Sequence, residues 1–108
     1  MGLIVSTIRL IQLNSMRLDL EYKLMLINSS RLQLTASTGD LETLGTDLDP
    51  DSAEAKALQK RQERLKVVEQ RLEEQAQRYQ VQLKMIESEI QSVNSSIDSN
   101  IQMSYGGR

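Results

Sequence analysis

The chain contains no cysteine, no histidine, no phenylalanine and no tryptophan, and it has a single proline. Without cysteine, neither a disulfide framework nor a thiolate metal site can form. Without histidine or cysteine, no Ser-His or Cys-His nucleophile can be assembled. These absences predict a protein that is not an enzyme, with no catalytic residues, no bound metal and no cofactor.

Aromatic residues make up only 3% of the chain, so large rings cannot supply the buried area on which globular cores usually rely. Leucine, isoleucine, valine and methionine must supply that area, which suits apolar seams along helices. Pro50 and the few glycines leave two long stretches uninterrupted. At 108 residues, the chain is expected to be one all-α domain of two long helices.

The charges are mixed in sign and nearly balanced. The 13 basic and 15 acidic residues give a net charge of −2, so no basic field is available for nucleic acid, which is not an expected partner. The N-terminus is apolar from Met1 to Val5, but Arg9 and Arg17 soon interrupt it. Neither a cleaved signal peptide nor a transmembrane span is predicted.

The first helix is predicted within residues 1–38 and carries apolar residues on two sides. A surface helix of a globular protein usually has one apolar stripe, so two stripes indicate contacts with two neighbours. Gly39 is the expected stop, since glycine readily adopts the left-handed conformation that ends many helices. The first stripe comprises Ile4, Ile8, Ile11, Leu18, Tyr22, Met25 and Leu32, and the second comprises Leu10, Leu13, Leu20, Leu24, Ile27 and Leu34.

Residues 39–52 are predicted to form an acidic loop that leads into the second helix. Two helix starts remain open: Asp49 can cap with Pro50 at the first helical position, or Asp51 can form a capping box with Glu54. Calcium binding is a less favoured alternative, because the loop lacks the spacing of an EF-hand. The acids of residues 39–54, which include no base, are Asp40, Glu42, Asp47, Asp49, Asp51 and Glu54.

The second helix is predicted over residues 53–103, with a tail at 104–108. Its last third carries an apolar seam among serines and asparagines, which are poor helix formers, so the helix needs a packing partner. If the helices form an antiparallel, coiled-coil-like hairpin, a first helix ending near residue 38 covers the second only to about residue 85. The seam would then lie bare and require another copy of the chain. Its residues are Ile86, Ile90, Val93, Ile97 and Ile101.

Two short segments resemble those of type III secretion needle subunits and related flagellar rod proteins. One is the turn Asp49-Pro50-Asp51-Ser52, and the other is the segment from Val93 to Arg108, which includes Ile97-Asp98-Ser99-Asn100-Ile101-Gln102. In needle subunits a proline-containing turn joins two helices, and the final helix is amphipathic. The resemblance implies a helical tube with the terminal helix near the lumen, and export of the unfolded chain.

The favoured hypothesis is a self-assembling structural subunit of a bacterial extracellular filament or secretion conduit, in which hairpins pack into a higher-order helical assembly. The subunit would be exported without a cleaved signal peptide to the cell surface or beyond. Its expected partners are copies of itself and an export chaperone. The predicted interface residues are Ile4, Ile8, Ile11, Leu18, Leu20, Leu24, Ile27, Ile86, Ile90, Val93, Ile97 and Ile101.

Two other hypotheses explain the same apolar stripes. A cytoplasmic coiled-coil adaptor or chaperone would bury them in a small closed oligomer. A membrane-active hairpin would place residues 3–34 on lipid, although charges such as Arg9 and Asp19 make spanning costly and leave surface contact as the minor option.

Overall fold

The computed structural model describes the backbone of residues 2–106 and the side chains of residues 2–103. Over that range the protein is all-α, with helix α1 at Leu3–Gly45, helix α2 at Ala53–Gly106 and a connection at residues 46–52. The two helices pack against each other, which confirms the predicted helical hairpin. The predicted tail from residue 104 continues α2 to Gly106, and positions 107–108 lie outside the described residues.

Helix α1 runs through Gly39 and ends at Gly45, so the predicted stop at Gly39 and the loop boundaries at 39–52 are wrong. No glycine among the described residues has a positive φ angle, so the left-handed stop does not form. One glycine inside a helix costs about 1 kcal/mol relative to alanine. Packing beyond the glycine offsets that cost, since Leu41 is half-buried and lines a groove together with Leu58 of α2.

Gly39→Ala is expected to raise the free energy of unfolding by about 0.5–1 kcal/mol, because alanine loses less backbone entropy in a helix. A Cβ atom at Gly39 would meet nothing within 4 Å beyond its chain neighbours and the adjoining helix backbone. Urea unfolding followed by circular dichroism measures the effect. Gly45→Ala is the matched control, because its Cβ would lie 3.0 Å from Cδ2 of Leu58. A larger gain at Gly45 than at Gly39 would contradict this account.

Ser52 is the N-cap of α2, so both of the predicted starts of this helix are wrong. Its Oγ accepts a hydrogen bond from the backbone N–H of Ala55 at 3.1 Å, and its carbonyl accepts the first helical bond from Lys56 at 3.2 Å. Asp49 acts one turn earlier, where its Oδ1 accepts a bond from the N–H of Asp51 at 3.2 Å. Neither Asp49 nor Asp51 therefore caps the helix, and Pro50 lies in the turn instead of the first helical position. Glu54 does lie in the first turn, near the positive end of the helix dipole.

Ser52→Ala is expected to lower the free energy of unfolding by about 1 kcal/mol, through loss of the side-chain acceptor for the N–H of Ala55. Ser52→Asp keeps an acceptor at the cap and should stay near the parent value. Thermal and urea unfolding of both variants measure the difference. Equal loss in the alanine and aspartate variants would show that the side-chain bond to Ala55 does not stabilise the helix start.

The chain divides into two compact packing units, each built from a segment of both helices. The first unit comprises Met1–Leu24 and Arg78–Arg108, and the second comprises Met25–Gln77. In the second unit, Ile27 and Ala76 are buried. The core of the first unit consists of Leu13, Leu20, Ile86, Ile90 and Val93, with Leu10, Tyr79, Leu83 and Ile97 packed against it.

Most of the isoleucine and valine seam is covered by α1 of the same chain, so the overhang predicted to begin near residue 86 is wrong. Of the five seam residues, Ile101 alone is exposed, at 39%. Ile86, Ile90 and Val93 are buried in one cluster with residues of α1. The antiparallel register is visible in two contacts of the first unit: Arg9 pairs with Glu89 at 2.8 Å, and the Lys23 ammonium lies 5.8 Å from the Tyr79 ring centre. Because α1 extends to Gly45, the turn falls later in the chain and α1 covers more of α2 than expected.

Candidate functional site

The first unit exposes an apolar stripe on the side of α1 that α2 does not cover. We call it the outer stripe, and it consists of Ile4, Ile8, Ile11, Leu18 and Tyr22. These side chains are all more than half exposed, from 52% at Ile8 to 76% at Ile4. Apolar residues that are repeatedly exposed along one helix face indicate an interaction surface.

The outer stripe follows the spacing of a coiled-coil seam. With Ser15 included, positions 4, 8, 11, 15, 18 and 22 are separated alternately by four and three residues, a repeat of 3.5. The opposite side of the same helix faces the core, where Leu13 is fully buried and Leu20 is 6% exposed. The prediction that α1 carries two apolar stripes is therefore confirmed, and α2 covers one of them.

The second unit has exposed apolar residues of its own. Met25 and Leu32 of α1 are 58% and 74% exposed and continue the sequence spacing of the outer stripe. Near the turn, the two helices form a groove of about 940 Å³, which we call the turn groove. Its charged lining residues are Arg61, Arg64 and Glu54. Its apolar lining consists of Leu41, Leu44, Leu48, Ala57, Leu58, Leu65 and Val68.

A further groove of about 930 Å³ lies between the two helices of the first unit. Its apolar lining is Met16, Leu20, Met85 and Ile86, and its charged groups largely pair with one another. Arg9 pairs with Glu89 at 2.8 Å, and Lys23 pairs with Asp19 at 2.9 Å. The hydrogen bond to Asp19 and its charge raise the pKa of Lys23 above its usual value. These exposed pairs contribute little stability but position charges at the groove rim.

The predicted interface residues fall into two groups in the structure. Ile4, Ile8, Ile11 and Leu18 are exposed on the outer stripe, and Ile101 is 39% exposed. The remaining residues are buried or half-buried within the chain itself, and the free energy of their burial stabilises the hairpin. They are Leu20, Leu24, Ile27, Ile86, Ile90, Val93 and Ile97.

One buried polar group was not anticipated from the sequence. Ser6 is fully buried in the first unit, and its Oγ has no hydrogen-bond partner, although its backbone N–H donates to the carbonyl of Gly2 at 3.0 Å. The only signal in the sequence is position: Ser6 precedes Leu13 and Leu20 at seven-residue spacing on the core-facing side. A buried hydroxyl without a partner weakens packing at this end of α1.

Within the described residues, no three acidic side chains lie close enough together to hold a metal ion. Over the same range, neither helix has a segment that is both long and apolar enough to span a bilayer. Comparisons of the chain with known protein families, with curated proteins and with solved structures found no match.

Proposed function

We propose that the protein is a non-catalytic structural subunit that assembles with copies of itself, and that the outer stripe of α1 is the principal contact. The observation that carries this proposal is the exposure of Ile4, Ile8, Ile11, Leu18 and Tyr22 at coiled-coil spacing. Burying a large apolar side chain contributes about 1.5–3 kcal/mol. A helical partner that carries a matching stripe would cover this surface, and another copy of the chain supplies one.

A filament or secretion conduit is the form of assembly that we propose first. The chain presents two different apolar surfaces, the outer stripe in the first unit and the turn groove in the second. Contacts that use more than one surface of a subunit can propagate into open helical polymers, whereas one self-complementary surface closes a pair. The resemblance of the turn and the last segment to needle and rod subunits supports the same form.

In this proposal the subunit acts at the cell surface or outside the cell, after export without a cleaved signal peptide. Copies of the chain are its main partners, and an export chaperone would keep the outer stripe covered before assembly. The seam on α2 is not part of the proposed contact, since Ile90 and Val93 are buried within the chain. The proposed assembly uses the outer stripe and the turn groove.

A small closed oligomer, acting as a cytoplasmic adaptor or chaperone, is the second candidate. The observation that favours it is the regular spacing of the outer stripe, which is typical of two helices that wrap around each other. Such an oligomer would use the outer stripe alone and leave the turn groove open.

Concentrated protein is expected to assemble, and two measurements separate the candidate forms. Sedimentation velocity between micromolar and millimolar concentrations reports the size of the assembly, and negative-stain electron microscopy reports whether it elongates. Long particles would support the filament, and a fixed small oligomer would support the closed form. A protein that remains monomeric across this range would contradict both.

Leu44→Glu is expected to stop elongation without preventing pairing, because it places a charge in the turn groove. Leu44 is 63% exposed, so the substitution should leave the fold intact. Val67→Glu is the control, since Val67 is 47% exposed in the same unit and does not line the groove. Electron microscopy should show filaments with the control and short particles with Leu44→Glu. Filaments with both variants would remove the turn groove from the proposal.

A further inference from the structure

The order of large and small side chains along the outer stripe carries information about how two copies meet. In coiled-coil notation, Ile8, Ser15 and Tyr22 occupy one seam position, and Ile4, Ile11 and Leu18 occupy the other. The first set varies widely in size, whereas the second set contains only branched aliphatic residues. All five large members are exposed in the structure.

We propose that the outer stripes of two copies pack antiparallel, with the two-fold axis near residue 13, so that each member of one set meets a member of the other. This inference rests on the self-assembly proposed above and specifies its contact. Ile4 then faces Tyr22 of the second copy, Ile8 faces Leu18, and Ile11 faces Ser15. Each pair occurs twice by symmetry.

Uniform packing along the contact favours the antiparallel arrangement over a parallel one. A parallel pair in register places Ser15 against Ser15 and Tyr22 against Tyr22, which leaves a gap at one layer and crowds two rings at another. Protein interfaces pack at the density of protein interiors, so voids and crowding both weaken association. The antiparallel pair sets the small Ser15 beside a branched Ile11. It also sets Tyr22 in the outermost of these layers, where its hydroxyl can reach water.

The outer stripe supplies most of the area that a pair of copies needs. At roughly 100–150 Å² for each large apolar side chain, the exposed fractions of the five residues offer on the order of 300–450 Å² per copy. A symmetric pair would therefore bury about 600–900 Å² from the stripe alone, before the flanking side chains are added. Specific interfaces generally exceed about 1,000 Å² in total, so the side chains that flank the stripe must supply the remainder.

Cysteine cross-linking tests the orientation cleanly, because the natural chain has no cysteine. Ile11→Cys and Ser15→Cys are made separately, mixed at a concentration where the protein associates, and oxidised under mild conditions. The antiparallel pair predicts that disulfides form mainly between one Ile11→Cys chain and one Ser15→Cys chain. Intact-mass spectrometry separates this mixed product from the two symmetric ones, since the variants differ in mass. Ser88→Cys, on the exposed side of α2, controls for random collision.

The possible outcomes test the orientation of the pair separately from self-association. A mixed product several-fold above the Ser88→Cys background supports the antiparallel pair. Dominant symmetric disulfides of Ser15→Cys would overturn the orientation and leave self-assembly through the outer stripe standing. No cross-linking above background at either α1 position, in protein that sedimentation shows to be associated, would overturn the use of the outer stripe. A monomer in sedimentation would overturn the proposed function together with this inference.

Discussion

Replacing Leu13 by alanine is expected to lower the free energy of unfolding by about 2–5 kcal/mol, because it removes a fully buried side chain. Leu13 is fully buried and belongs to the cluster that joins the two helices in the first unit. Its removal takes apolar area from the core and leaves a cavity in the cluster that Leu13 forms with Leu20 and residues of α2. A two-helix hairpin has few other buried side chains that could relax into that space.

Urea unfolding of Leu13→Ala, followed by circular dichroism at a concentration where the protein is monomeric, measures this loss. Leu32→Ala is the matched control, because it makes the same chemical change at a side chain that is 74% exposed. Its effect is expected to stay within about 0.5 kcal/mol of the parent. Equal losses in both variants would show that α1 does not face α2 through Leu13.

Replacing Ile11 by glutamate is expected to weaken self-association about 100-fold or more, with little change in the stability of the monomer. Ile11 is 65% exposed, so the monomer keeps the new carboxylate in water. In the proposed assembly, two such carboxylates would be buried without partners, and each would cost several kcal/mol. Sedimentation velocity over a dilution series measures the association constant, and urea unfolding checks the fold.

Val81→Glu provides the control for this second prediction. Val81 is 58% exposed on α2 in the same packing unit, so it receives the same charge on a comparable surface outside the outer stripe. Association of this variant is expected to stay within about threefold of the parent, since a surface charge away from a contact changes binding little. If Val81→Glu weakens association as much as Ile11→Glu, the contact does not lie on α1 alone.

The helical content and the two stripes of α1 could be predicted because both follow from local patterns. Scarcity of proline and aromatic residues, together with apolar residues at a helical period, leaves few alternatives to long helices. The residues at which each helix begins and ends could be predicted less well than the helices themselves. Gly39 does not end α1, because its helix penalty is smaller than the packing gained beyond it. The sequence does not single out Ser52 as the cap, because the neighbouring Asp49 and Asp51 carry oxygen acceptors that cap helices equally well.

By itself, the sequence determined that this chain forms two long helices and that α1 carries more apolar surface than one neighbour can cover. Only the tertiary structure decided which stripe of α1 is covered and that Ile86, Ile90 and Val93 of the seam are buried within the chain. The physical reason is register. In a hairpin, a small shift of the turn moves every contact along both helices, and the position of the turn depends on packing energies that no single stretch of sequence contains.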